Sequence, residues 1–88
     1  MYKVKIIHGS MPKVPHGYGS WLHYFEEKSV RPVMGCHRSL CYIDYNIDFV
    51  IVKRLDENND SLYLIPLCKN HHSSSDEFYV KDSLVKLP

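Results

Sequence analysis

Ser61-Leu62-Tyr63-Leu64-Ile65-Pro66-Leu67-Cys68-Lys69-Asn70-His71-His72 is a run of strand-forming residues that closes on a cysteine and, three residues later, a histidine. Ligands three apart lie on one side of a helical turn, so a strand leading into the first turn of a helix is the local reading. Upstream, Cys36 and Cys41 form a Cys-x4-Cys pair separated from Cys68 by 26 residues. Cys36, Cys41, Cys68 and His71 together supply the four soft or borderline donors of a closed tetrahedral zinc site. That set uses all three cysteines of the chain. The alternative is three buried thiols beside a surface histidine.

Between the two ligand pairs, Ile47 to Leu55 is rich in β-branched and aromatic residues, as is Leu62 to Leu67. The polar connection Asp56-Glu57-Asn58-Asn59-Asp60 is too short for a crossover and has no apolar period, so the two runs are expected to pair as a hairpin. Further out, Tyr2, Val4 and Ile6 alternate with Lys3 and Lys5 in the period of a half-buried strand. Residues 8 to 19 hold Gly9, Gly17, Gly19, Pro12 and Pro15 and read as a loop or arm. Ser20 is placed to cap a helix from Trp21, with Trp21, Leu22, Tyr24 and Phe25 on one side, Glu26 and Glu27 toward solvent, and an end before Pro32. The helix carrying Cys68 and His71 is expected to stop at Ser73-Ser74-Ser75. Phe78-Tyr79-Val80 reads as an edge strand, and Leu84, Val85 and Leu87 as a last packed segment.

An 88-residue chain is one domain, near the size at which an apolar core alone is marginal and a metal staple is the usual remedy. It divides into a strand and arm (1–19), a helix (20–30), a zinc core (36–75) and a tail (76–88). The odd number of cysteines fits a disulfide framework poorly, and no basic stretch followed by an apolar one marks a signal peptide. A reducing, cytoplasmic location is expected. No apolar run reaches the length of a membrane span. Net charge is +1, against a strongly electrostatic nucleic-acid binder. Residues 1–54 nevertheless carry eight Lys and Arg against four Asp and Glu, which leaves room for a basic face built from Lys3, Lys5, Lys13, Lys28, Arg31, Arg38, Lys53 and Arg54.

A two-cysteine turn, a hairpin and a helix donating the last ligands is the order of a treble-clef zinc finger, and the fold class expected is α+β. The run Ser61 to His72, with its Pro66-Leu67-Cys68 and His71-His72, resembles the second half of HNH-type nuclease domains, and Ile47-Asp48-Phe49-Val50 resembles their first strand. The resemblance implies a histidine on that strand that activates water and a histidine on the following helix that helps hold a divalent cation. The first position is occupied here by Phe49, which neither accepts a proton nor binds a metal. Asp48 and His72, with Asn58 or Asn59 at the family's central Asn, are what remains of a cation site. The resemblance therefore implies a degenerate domain that keeps its structural zinc and has lost its chemistry, with Phe49 joining Ile47 and Ile51 on a buried face against Trp21 or Phe25.

The other histidines have competing readings. His72 is a vestigial catalytic ligand, a replacement for His71 at the zinc, or a solvent residue. His37, adjacent to Cys36, reads as a structural or surface residue because simultaneous coordination would be strained. His8, His16 and His23 fall on separate elements. Six of the seven tyrosines, Tyr2, Tyr18, Tyr42, Tyr45, Tyr63 and Tyr79, suit a protein interface. The expected function is a non-catalytic zinc module that binds a protein partner, with a phage or mobile-element inhibitor of a host nuclease or defence complex as its most specific form. A nucleic-acid-binding module and an active metal-dependent nuclease are the alternatives.

Overall fold

A computed structural model of the chain describes residues 2–9, 11–58, 60–73, 75–81 and 84–87. Its elements are β1 (Tyr2–Ile6), α1 (Trp21–Ser29), β2 (Ile47–Arg54), β3 (Leu62–Cys68), β4 (Phe78–Val80) and β5 (Val85–Lys86). The strands form a five-stranded sheet in the order β4-β1-β2-β3-β5, and every neighbouring pair is antiparallel.

The expected α+β treble clef is overturned. The fold is an antiparallel sheet with one short helix, placed before the hairpin, and among the described residues no helix follows β3. The amides of His71 and His72 both bond the Cys68 carbonyl, at 2.9 and 3.1 Å, and the chain from Lys69 to Ser73 stays in turns. The physical reason lies in the residues. Asn70, His71, His72 and Ser73 are weak helix formers, and a helix this short lacks the length to offset nucleation. Ser74, expected near the end of that helix, lies outside the described residues.

The two central strands pair from Ile47 opposite Cys68 to Lys53 opposite Leu62. Arg54 anchors the connecting loop: its guanidinium bonds Asp56 through two atoms and lies 3.6 Å from Glu57, which accepts from the Tyr63 hydroxyl. Ser20 caps α1 as its sequence position requires, accepting from the His23 amide at 3.1 Å. The helix ends before Pro32 at Val30, in the left-handed region with φ +58°.

Two apolar clusters lie on the two faces of the sheet. One joins Val4, Ile6, Val52, Ile65, Leu67, Phe78 and Val80 to Cys36, Cys41 and Cys68, with Ile43 and Ile47 packed on it. The other joins Tyr24 and Phe25 of α1 to Leu64 and Val85, with Trp21 and Phe49 packed on it. Leu22, expected on the apolar side of α1, is exposed, whereas Glu26 is half-buried and accepts from the Val33 amide at 2.8 Å. Ile47 packs with the cysteine cluster rather than beside Phe49.

Candidate metal centre

The segment 35–46 reaches the sheet as a tight turn. Gly35 has φ +130°, and a Cβ there would meet the Ile43 carbonyl oxygen at 2.8 Å, so glycine is required by both conformation and space. The Cys36 amide bonds that same oxygen, and the Cys41 amide closes on the Arg38 carbonyl at 3.1 Å. Leu40, at φ +67°, takes the turn position that commonly holds glycine. The turn is tied down by β4: the Ser39 amide bonds the Tyr79 carbonyl and the Lys81 amide bonds the His37 carbonyl. The Lys81 ammonium donates to the carbonyls of Cys36 (3.2 Å) and Cys41 (2.6 Å) and sits 4.8 Å from the centre of the Tyr42 ring.

This turn and the end of β3 bring Cys36, Cys41, Cys68 and His71 together, with their four ligand atoms all within 4.8 Å of one another. The Cys41 and Cys68 sulfurs are 3.9 Å apart, and Nδ1 of His71 lies 3.3 Å from the Cys68 sulfur and 3.6 Å from that of Cys36. Metal bonds of about 2.3 Å to sulfur and about 2.0 Å to nitrogen make the edges of a tetrahedron about 3.8 Å (S to S) and about 3.5 Å (S to N). The separations of 3.9, 3.3 and 3.6 Å lie near those edges, and none of the six exceeds 4.8 Å. The cluster is therefore compatible with one bound metal ion such as zinc, and the three cysteines are free thiols.

The surroundings favour the ligating forms of Cys41 and His71 and disfavour that of Cys36. Burial pushes the Cys36 thiol up to about 11, the cost of holding a thiolate there without a cation. Burial also raises Cys41, but the hydrogen bond from the Ile43 backbone, the neighbouring thiols and the Lys81 charge outweigh it and leave this thiol below its ordinary value. Burial and the Arg38 charge lower His71, which keeps its ring neutral, the form that ligates. Three thiolates around a dication leave one net negative charge, and Lys81 and Arg38 are placed to offset it.

The remaining sequence candidates separate. His72 stands outside the cluster and lines a depression of about 300 Å³ with Asn46, Ile47, Asp48 and Lys69. Asp48 and His72 thus do share a cleft, but the Cys and His cluster is the one group of three or more metal-ligating side chains among the described residues. The Asp48 carboxylate accepts from the Phe49 amide at 3.0 Å. Phe49 itself is half-buried, its ring 5.5 Å from that of Phe25. Asn59, a candidate for the central Asn, lies outside the described residues. His37 packs against the Phe25 ring at 5.5 Å, and its Nδ1 is buried with no hydrogen-bond partner. Of the eight basic residues considered for one face, Lys3, Lys5 and Lys53 come together, whereas Arg54 lies 3.9 Å over the Tyr2 ring and Arg38 5.0 Å over Phe78.

Lys81 is the residue that sequence reasoning missed. Its contacts span 40 and 45 residues, and no local pattern marks a lysine that donates to carbonyls of the metal turn. Among the described residues no helix is long and apolar enough to cross a membrane. Comparison with family models, with curated proteins and with solved structures finds no match.

Proposed function

We propose that the chain is a zinc-stabilised, non-catalytic module that presents its metal turn to a protein partner. The observation that carries the reading is the Cys36, Cys41, Cys68 and His71 cluster, whose spacing suits one structural Zn2+ with all four positions taken by protein ligands. A closed site leaves no place for substrate or water, so the metal's contribution is to hold the turn on the sheet.

The side chains that such a turn displays support the binding role. Met34, Leu40, Tyr42 and Tyr45 are 80, 83, 81 and 65% exposed, four large apolar or aromatic groups within twelve residues of a segment otherwise fixed by backbone bonds and Lys81. Exposed aromatics on a rigid support lose little entropy on binding and are common interface anchors. A non-catalytic role is supported by Phe49, which offers no base beside the Asp48 and His72 cleft.

The test is a pull-down from the native host with the tagged full chain, compared with Leu40→Asp and Tyr42→Ala, each confirmed to bind zinc. A protein retained in stoichiometric amount by the wild type and lost with either variant is the expected result. Cleavage of DNA by the wild type with Mg(II) or Mn(II), abolished in His72→Ala, would overturn the reading.

A further inference from the structure

Helix α1 covers only part of its sheet face. Its buried rings, Tyr24 and Phe25, pack on Leu64 and Val85, which belong to β3 and β5. The same face continues along β2 beyond Phe49, which Phe25 meets, and across β1 and β4, with no helix over it among the described residues. Lys5 there stands directly opposite Lys53, and Lys3, two residues along the strand, stands opposite Tyr79. Like charges on directly opposed residues disfavour the pairing. Lys3 has a counter-charge in Glu77 at 3.3 Å, but no ion pair is formed by Lys5 or Lys53 among the described residues.

This half-face is continuous with the metal turn. Tyr79, 53% exposed, lines a depression of about 450 Å³ together with Arg38, Ser39, Leu40, Glu77 and Phe78, so Leu40 of the turn and Tyr79 of the sheet bound one hollow. At the other end, the Ile7 amide bonds the Ile51 carbonyl, and Ile7 is exposed. The surface runs from Leu40 through Tyr79 and Lys3 to the uncompensated Lys5 and Lys53, and ends at Ile7 and Ile51.

We propose that this surface is the site of the protein partner inferred above, and that the partner presents an acidic, extended segment to Lys5 and Lys53. The inference rests on the protein-binding reading and names the chemistry of its occupant. Charge complementarity supplies the anion, since a carboxylate between the two lysines removes their mutual repulsion. Side chains two apart on an extended segment are spaced like Lys3 and Lys5, so acidic residues at alternate positions would follow β1. A protein is favoured over a nucleic acid because Leu40, Ile7 and Ile51 along this strip are aliphatic and give bases nothing to stack on, and because the net charge of the chain is only +1.

The test uses the full, zinc-loaded, isotope-labelled chain. Amide shifts are followed while a peptide of alternating glutamate and valine is added, then its glutamine counterpart, then a short oligo(dT). The expected result is saturable shifts at Lys3 to Ile7, Ile51 to Lys53 and Tyr79 with the glutamate peptide alone, weakened about tenfold in the Lys5→Glu, Lys53→Glu double variant. The single variant Lys5→Gln controls for folding, since removing one of two facing charges leaves the sheet at least as stable. Absence of localised shifts at millimolar glutamate peptide would overturn the inference, as would tighter binding of oligo(dT) at the same amides. Either failure, with the Leu40→Asp effect in the pull-down intact, removes the acidic segment and leaves the protein-binding reading standing.

Discussion

At Gly35 two independent constraints meet, a φ of +130° and a carbonyl oxygen 2.8 Å from where a Cβ would stand. The blocking atom is backbone, and the same carbonyl holds the Cys36 amide, so it has little freedom to withdraw. Gly35→Ala is expected to cost about 2 kcal/mol or more of zinc-loaded stability, measured by denaturant unfolding. His37 makes a second prediction, through pH. Burial, aided by the Lys81 charge, holds its pKa near 4, below its ordinary 6.5, so the unfolded chain binds more protons than the folded one between those values. The His37 contribution is therefore fully present above about 6.5 and falls as pH drops toward 4. His37→Phe keeps the ring against Phe25 and removes the unpartnered Nδ1. Its stability advantage over wild type should widen as pH is lowered from 7.5 to 5, while protonation of the metal ligands, common to both proteins, cancels in the difference. A gap that stays constant would show His37 hydrated rather than buried. Nothing in the sequence around His37 distinguishes a buried ring from a surface one; the Cys36 beside it says only that the backbone is tethered.

The elements differ in how legible they are. The alternation of Tyr2, Val4 and Ile6, the polar loop after β2 and the Ser20 cap each specify a local structure by local chemistry, and each is found at its place. The turn after β3 is different, because Cys-x2-His spacing is satisfied equally by a helix's first turn and by an isolated turn. Here the weak helix formers Asn70 to Ser73 decide for the turn. The end of α1 carries a prediction of its own. Val30 is β-branched, 85% exposed and left-handed at φ +58°, where glycine is the usual choice. Val30→Gly should stabilise the protein by roughly 1 kcal/mol, read as an increased denaturation midpoint, because the relieved backbone strain exceeds the entropy glycine adds to the unfolded chain. On β2, Phe49 is half-buried against Phe25, so truncation to Ala should cost about 2 kcal/mol, less than a fully enclosed ring.

For the whole molecule, the four candidate ligands come from two places, the 35–46 turn and the region at and just after the end of β3, and their cluster joins the turn to the larger apolar cluster. The grouping of Cys36, Cys41, Cys68 and His71 was readable because three cysteines and a histidine at these spacings have few other uses together. The arrangement of the strands was not, since β4 pairs with β1 across more than seventy residues and no periodicity records that choice. A core of this size is marginal without a further constraint, so folding is expected to be conditional on the metal. The most direct test is elemental analysis of the purified chain combined with its amide NMR spectrum before and after chelation. The expected result is one zinc per chain, a dispersed spectrum that collapses when the metal is removed, and neither zinc nor dispersion in Cys68→Ser. A metal-free chain that keeps the full native dispersion would contradict it.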